Sequence, residues 1–256
     1  MIHSTAIIDP RAEIHPDCVI GPYVVVDGPV KIGRATRVMA HATIAGWTEI
    51  GVDNEIHPGA ALGGPPQDKA YRGAESHLKI GDRNVFRENV QVHRGTTAGS
   101  STIIGNENYL MACAHVGHNC RLGDRIVLAN GALLGGYVDV GDAAFISGNC
   151  VVHQFVRIGE LSLMRGLSGA SRDVPPYAIV DWQHTVRSVN VVGLKRAGFE
   201  DKKIRALKEA FRILFRKGKN LKLALAEVEA DTDLAQEARP LLEFIKSSKR
   251  GVCVGA

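Results

Sequence analysis

The sequence predicts a single-stranded parallel β-helix followed by a small α-helical domain. Three observations carry this. Aliphatic residues recur every six positions, glycine often follows them, and the last quarter of the chain changes to helical spacing.

The first run of the repeat is Ile2, Ile8, Ile14, Ile20, Val26, Ile32, Val38, Ile44, Ile50, Ile56 and Leu62. It returns as Ile80, Phe86 and Val92. It resumes once more at Ile104, Leu110, Val116, Leu122, Leu128, Leu134, Val140, Ile146, Val152, Ile158 and Met164. A step of six is neither the 3.6 of a helix nor the two of an isolated strand. It describes a short strand and a turn, repeated, with each aliphatic stacked on its counterpart in the next coil. Aromatics are only 5% of the chain while glycines number 28, which suits tightly turning backbone better than a bulky core.

Two segments interrupt the period, Gly63–Lys79 and His93–Ile103. A regular solenoid gains no stability from irregular loops, and such loops commonly carry function. The β-helix is expected over residues 1–185, with loops at 63–79 and 93–103. After about Pro176 the period fades. A helical domain is expected over 191–256. Ile204, Leu207, Phe211, Leu214 and Phe215 form one apolar face. Leu221, Leu225 and Val228 suggest a second helix, and Leu241, Leu242 and Ile245 a third, with Gly218 and Pro240 as punctuation. This domain should cover the open end of the solenoid.

Composition narrows the setting. With 45% apolar and 23% charged residues the chain is an ordinary globular protein rather than a disordered one. Five cysteines without CxxC spacing read as reduced thiols in a cytoplasmic protein. No signal peptide and no membrane-spanning segment are visible. Eleven Lys or Arg residues fall between Lys195 and Lys222, against Glu200, Asp201 and Glu209. This run is either a solvated face or a docking surface for an acidic protein. Nucleic acid is the weaker reading of this run.

The stretch NYLMACAHVGHNC holds His115 and His118. With three hexapeptides per coil, His118, Gly136 and Gln154 share one column, about 4.8 Å apart per coil. His153 stands in the adjoining column above Gly117 and Gly135. An imidazole, a bare backbone amide and a side-chain amide thus line one strip. That is equipment for acyl transfer: a base deprotonates an alcohol and an N–H receives the developing oxyanion. A lone histidine would more often be structural, but several share this strip with loop residues.

The hexapeptide pattern resembles the left-handed β-helix acyltransferases, and the left hand is taken from that resemblance. The runs QDKAY (67–71), IGDRNVFRENVQVHRGT (80–96), AHVGHNC (114–120), VVHQF (151–155), DVPPY (173–177) and GLKRAGF (193–199) further resemble the UDP-N-acetylglucosamine acyltransferases. The resemblance implies transfer of an (R)-3-hydroxyacyl chain from acyl carrier protein to the sugar 3-hydroxyl, the first step of lipid A synthesis. It implies His118 as general base and the Gly136 amide as oxyanion donor. Asp68, Lys69, His93, His115, His153, Gln154, Asn190 and Arg196 match substrate-binding positions, and Gly166 the position that limits acyl length. No cofactor and no metal are implied. The implied assembly is a homotrimer with sites between subunits, and the basic run becomes a carrier-protein dock.

The chain departs from the family pattern at several positions. Asn119 stands where Asp is common, Ala70 where Lys is, and Tyr137 where His is. Ala197 replaces a second Arg and Val192 an acidic residue. Three alternatives stay open at this point. One is acylation of the 3-amino analogue of the sugar. Another is a carbonic anhydrase-like metal site using His93, His115, His118 and His153. The third is a non-catalytic scaffold. A related N-acyltransferase group carries a uridine-binding domain before the β-helix, and a repeat beginning at Ile2 leaves no expected place for one.

Overall fold

The computed structural model describes residues 1–182, 184–215 and 220–255. Gly218 and the basic residues Arg216, Lys217 and Lys219 lie outside the described residues. The six-residue period becomes a left-handed parallel β-helix of triangular section. Among the described residues its faces are sheets of nine, eight and eleven strands. Each strand pairs with the one a full coil later, eighteen residues on, as in His115↔Leu133 and Leu133↔Val151. Across the first interruption the partner separation grows to thirty, Ala61↔Gln91. Across the second it is twenty-four, Gln91↔His115. Both loops therefore leave the coil and rejoin it in register.

The hexapeptide aliphatics from Ile20 to Met164 are all buried, each on the same column of the next coil. Ile2 differs, being 51% exposed. It bridges Ile20 on one side.

The interior also holds polar ladders that the aliphatic spacing does not reveal. The Oδ1 atoms of Asn54, Asn84 and Asn108 accept the backbone N–H groups of Asn84, Asn108 and Ile126. Their Nδ2 groups donate to the carbonyls of Gly81, Gly105 and Gly123. The thiols of Cys18, Cys120 and Cys150 donate to the carbonyls of Gly33, Gly135 and Arg165 in the same manner. Turn groups that would otherwise be buried without partners are satisfied this way. All five cysteines are free.

The eleven-stranded face extends past the repeat. Ala178–Asp181 continues it, Thr185–Val189 turns back antiparallel, and Val254–Gly255 from the C-terminus pairs with the latter. Among the described residues five helices lie between: α1 Val191–Arg196, α2 Asp201–Leu214, α3 Leu221–Ala230, α4 Thr232–Glu237 and α5 Arg239–Lys246. The apolar spacing read from the sequence is realised. Ile204, Leu207, Phe211 and Leu214 are buried on α2, and Leu241, Leu242 and Ile245 on α5. Pro240 sits in the first turn of α5, where its missing N–H costs nothing. Among the described residues no helix is long and apolar enough to cross a membrane.

Candidate active site

His118 lies at the corner between the nine-stranded face, through His115–Val116, and the eight-stranded face, through Arg121–Leu122. It is 6% exposed. Its Nδ1 is 2.7 Å from Thr96 Oγ1 and 3.0 Å from Asn119 Oδ1. Its Nε2 faces Asp68 Oδ2 at 3.7 Å. The next coil places Gly136 directly against the ring. A Cβ built on Gly136 would stand 2.5 Å from His118 Nε2, so only glycine leaves the imidazole room here. Among the described residues the Gly136 N–H has no protein acceptor. A basic nitrogen and an unclaimed N–H thus stand side by side.

The two interrupting loops converge on this corner. Asp68 accepts the Ala70 N–H through Oδ1, at 2.8 Å, which leaves Oδ2 toward the imidazole. Buried Arg94 ties the first loop down. It donates to the Gly63 carbonyl and to the Tyr71 hydroxyl, both at 2.8 Å, with its guanidinium over the rings of Trp47 and Tyr71. Arg94 and Thr96 were not singled out from the sequence. Both lie in the HRGT run beginning at His93, the only signal that could have drawn notice to them.

His93 and His115 form the wall of the strip, with ring centroids 5.1 Å apart. His93 donates from Nδ1 to the Pro65 carbonyl at 2.8 Å, and its Nε2 is buried without a partner. Burial holds His93 below the ordinary imidazole range, with repulsion from His118 and Arg94 adding to it. Burial, with the neighbouring His93, pushes His115 down to about 4. Both rings are therefore neutral at pH 7 and can hold substrate hydroxyls without charge. Lys69 is exposed on the first loop.

His153 and Gln154 stand one coil beyond Gly136 and are exposed. His153 Nδ1 is 3.4 Å from Arg250 Nη2. Tyr137 meets His118 edge-on at 5.2 Å and stacks on Phe155 at 4.9 Å. A cavity of about 400 Å³ opens around this corner, lined by Tyr137, Phe155, Arg121, Lys249 and Arg250 among others. On the other side, a cavity of about 340 Å³ includes His115, Gln67 and Leu133.

Three expected site residues lie elsewhere in the chain. Gly166 is at the far edge of the same nine-stranded face, between Leu163–Met164 and Gly169–Ala170. Leu133, Val151 and Leu167, 42%, 52% and 79% exposed, mark an apolar track between the two edges. Asn190 sits at a third corner. Its Oδ1 caps α1 by accepting the Gly193 N–H, and its Nδ2 donates to the Leu161 carbonyl. Arg196 is exposed at the end of α1. Among the described residues no three His, Cys, Asp or Glu side chains converge as a metal-holding group.

An imidazole beside an unclaimed backbone N–H, on the edge of a left-handed β-helix, is an arrangement suited to acyl transfer. Comparisons with known proteins carry this further. The profile described as UDP N-acetylglucosamine O-acyltransferase, domain 2, matches residues 173–253. The acyl-[acyl-carrier-protein]–UDP-N-acetylglucosamine O-acyltransferase of Syntrophobacter fumaroxidans is 47% identical over 98% of each chain. The solved UDP-N-acetylglucosamine acyltransferases of Francisella novicida and Bacteroides fragilis both superpose with a TM-score of 0.94. They are 36% and 38% identical, covering 99% and 98% of this chain and 94% and 99% of theirs. The chain belongs to the UDP-N-acetylglucosamine O-acyltransferase family.

Proposed function

We propose that the protein transfers an (R)-3-hydroxyacyl chain from acyl carrier protein to the 3-hydroxyl of UDP-N-acetylglucosamine, the first step of lipid A synthesis, in the cytoplasm. The observation that carries the reading is His118 Nε2 set against Gly136, beside Asp68.

His118 Nε2 takes the proton of the sugar 3-hydroxyl as its oxygen bonds to the thioester carbonyl carbon. The carbonyl electrons move onto oxygen, and the Gly136 N–H donates a hydrogen bond to the oxyanion so formed. Collapse re-forms the carbonyl and breaks the C–S bond, and the leaving thiolate takes the proton from Nε2. Asp68, Lys69, His93 and His115 hold the sugar in this reading. His153 and Gln154 border the nucleotide diphosphate, and Arg196 meets it from a neighbouring subunit. Ala197 withholds one cation from that group. Arg121, Lys249 and Arg250, around the 400 Å³ cavity, are placed to supply others.

The acyl chain runs over Leu133 and Val151 toward Gly166. Added side-chain bulk at Gly166 would meet little, its nearest neighbour being the Gly148 carbonyl oxygen at 3.6 Å. Asn190 reaches the nucleoside from a neighbouring subunit in a closed trimer, an assembly that a three-faced prism suits. The exposed cations Lys202, Arg205 and Lys208 of α2 offer the acidic carrier a complementary surface.

The test is incubation with hydroxyacyl carrier protein and either UDP-N-acetylglucosamine or its 3-amino analogue, with products read by mass spectrometry. The expected product is the 3-O-ester. Failure to acylate the 3-hydroxyl, or a strong preference for the amine, would overturn the assignment.

A further inference from the structure

The tip of the first interrupting loop, residues 67–74, is bonded mostly to itself. The Ala70 N–H donates to Asp68 Oδ1, and the Tyr71 N–H donates to the Asp68 carbonyl at 3.0 Å. Arg72 donates to the carbonyls of Lys69 and Tyr71. Among the described residues a single hydrogen bond joins this tip to the rest of the chain, from Arg94 Nη2 to the Tyr71 hydroxyl at 2.8 Å. A guanidinium only donates, so the hydroxyl accepts from Arg94 and gives its own proton to the Ala74 carbonyl at 3.0 Å.

Arg94 itself is held without freedom. It is 9% exposed, its Nε–H is buried without a partner, and among the described residues no carboxylate pairs with it. Its Nη1 donates to the Gly63 carbonyl, and its backbone N–H to the Gly64 carbonyl at 3.2 Å. The rings of Trp47 and Tyr71 lie 5.7 and 5.6 Å from the guanidinium carbon. A Cβ built on Gly46 would stand 2.7 Å from Nη1, so a residue without a side chain makes room for the guanidinium. Burying a cation with no counter-charge is a poor way to add stability. What the planar fork does here is reach two fixed acceptors at once, one on the coil and one on the loop tip.

We infer that Arg94 is a positioning residue for the sugar site: through Tyr71 it latches the loop tip and so fixes Asp68 opposite His118. The inference rests on the reading of Asp68 as a residue that holds the sugar. The connection between Tyr71 and Asp68 is short. The Tyr71 N–H closes a turn on the Asp68 carbonyl, and the Ala70 N–H holds Asp68 Oδ1. The place of the Tyr71 ring therefore sets the place of Asp68 Oδ2, which lies 3.7 Å from His118 Nε2. With the latch gone, the bonds that remain are internal to the tip, and the tip moves as a unit. Sugar binding must then order it again, and that cost falls on affinity for the sugar nucleotide. His118 and Gly136 are carried by the coils themselves, so the chemical step is left nearly as it was.

Tyr71→Phe tests this with the ring kept and only the hydroxyl removed. Two readouts are taken on the full chain: steady-state transfer from hydroxyacyl carrier protein to UDP-N-acetylglucosamine, and limited trypsin cleavage after the exposed Lys69 and Arg72. The variant should raise KM for the sugar nucleotide about tenfold, with KM for the carrier protein and kcat each within about threefold of the parent. It should be nicked in the loop several times faster at an unchanged melting midpoint. Arg94→Met should do the same, and the double variant should be no worse than Arg94→Met alone, because both changes delete one bond. If Arg94→Met folds poorly, Tyr71→Phe decides by itself. An unchanged KM for the sugar nucleotide would overturn the inference, and so would a raised KM with unchanged nicking, which would place the effect outside the loop. A wild type that acylates no UDP-amino sugar would count against the substrates, and the nicking rates would still decide whether the latch exists.

Discussion

Replacing Gly136 by Ala isolates the geometry on which the mechanism depends. The new Cβ would fall 2.5 Å from His118 Nε2 and 2.6 Å from Cε1. An ordinary carbon–nitrogen contact needs about 3.4 Å, so the ring must retreat by about 1 Å. The backbone at 136 is not among the left-handed positions, so alanine adds no conformational strain. The atoms it meets are the far end of one side chain, and folding survives by moving that ring. A misplacement of about 1 Å at a reacting group costs about a hundredfold in rate, or ~2.7 kcal/mol at 1.36 kcal/mol per tenfold. Steady-state transfer from hydroxyacyl carrier protein, with thermal melting as the control, should show kcat down by that order and a melting midpoint within a few degrees of the parent. Full activity in Gly136→Ala would refute the contact between base and amide.

The remaining expectations concern stability and selectivity. Native His115, pushed down to about 4, refuses a proton that the unfolded chain binds below about pH 6.5. Stability therefore rises with pH across that window and is lost as pH falls through it. After discounting for solvent near the ring the contribution is ~1 kcal/mol, and His115→Asn should flatten the pH dependence of the unfolding free energy by that amount in urea titrations. Asn84→Ala removes the acceptor for the Asn108 N–H and the donor to the Gly105 carbonyl inside the prism. It should lower unfolding free energy by ~2–4 kcal/mol in urea titration, whereas an unchanged midpoint would show the ladder to be dispensable. Gly166→Met has room to fold. It should shift donor preference toward shorter acyl chains in competition assays, and unchanged preference would separate this corner from the acyl path.

Much of the fold was legible because the chain repeats itself. Spacing alone brought His118, Gly136 and Gln154 into one column, since eighteen residues make one coil in sequence and in space. What the spacing missed follows from the same fact. Thr96 and Arg94 come from loops that leave the coil, where no register predicts a neighbour. The Asn54–Asn84–Asn108 ladder breaks the simple step of eighteen because the two loops intervene, so its members do not look periodic. The antiparallel strand Thr185–Val189 and the return of Val254–Gly255 lie beyond the repeat. Helix α4, TDLAQE, is shorter than two turns and offers no apolar period to read. Asn190 was identified through family resemblance, and its place as the α1 cap shows why its amide is fixed in orientation.

The most direct test is a crystal structure with UDP-N-acetylglucosamine bound to the His118→Ala variant, compared with the wild type carrying the same ligand. The account predicts the sugar 3-oxygen within about 2.6–3.2 Å of His118 Nε2 in the wild type, the same sugar pose in the variant, and no transfer by the variant. A 3-oxygen turned away from His118, or a variant that still transfers, would contradict it.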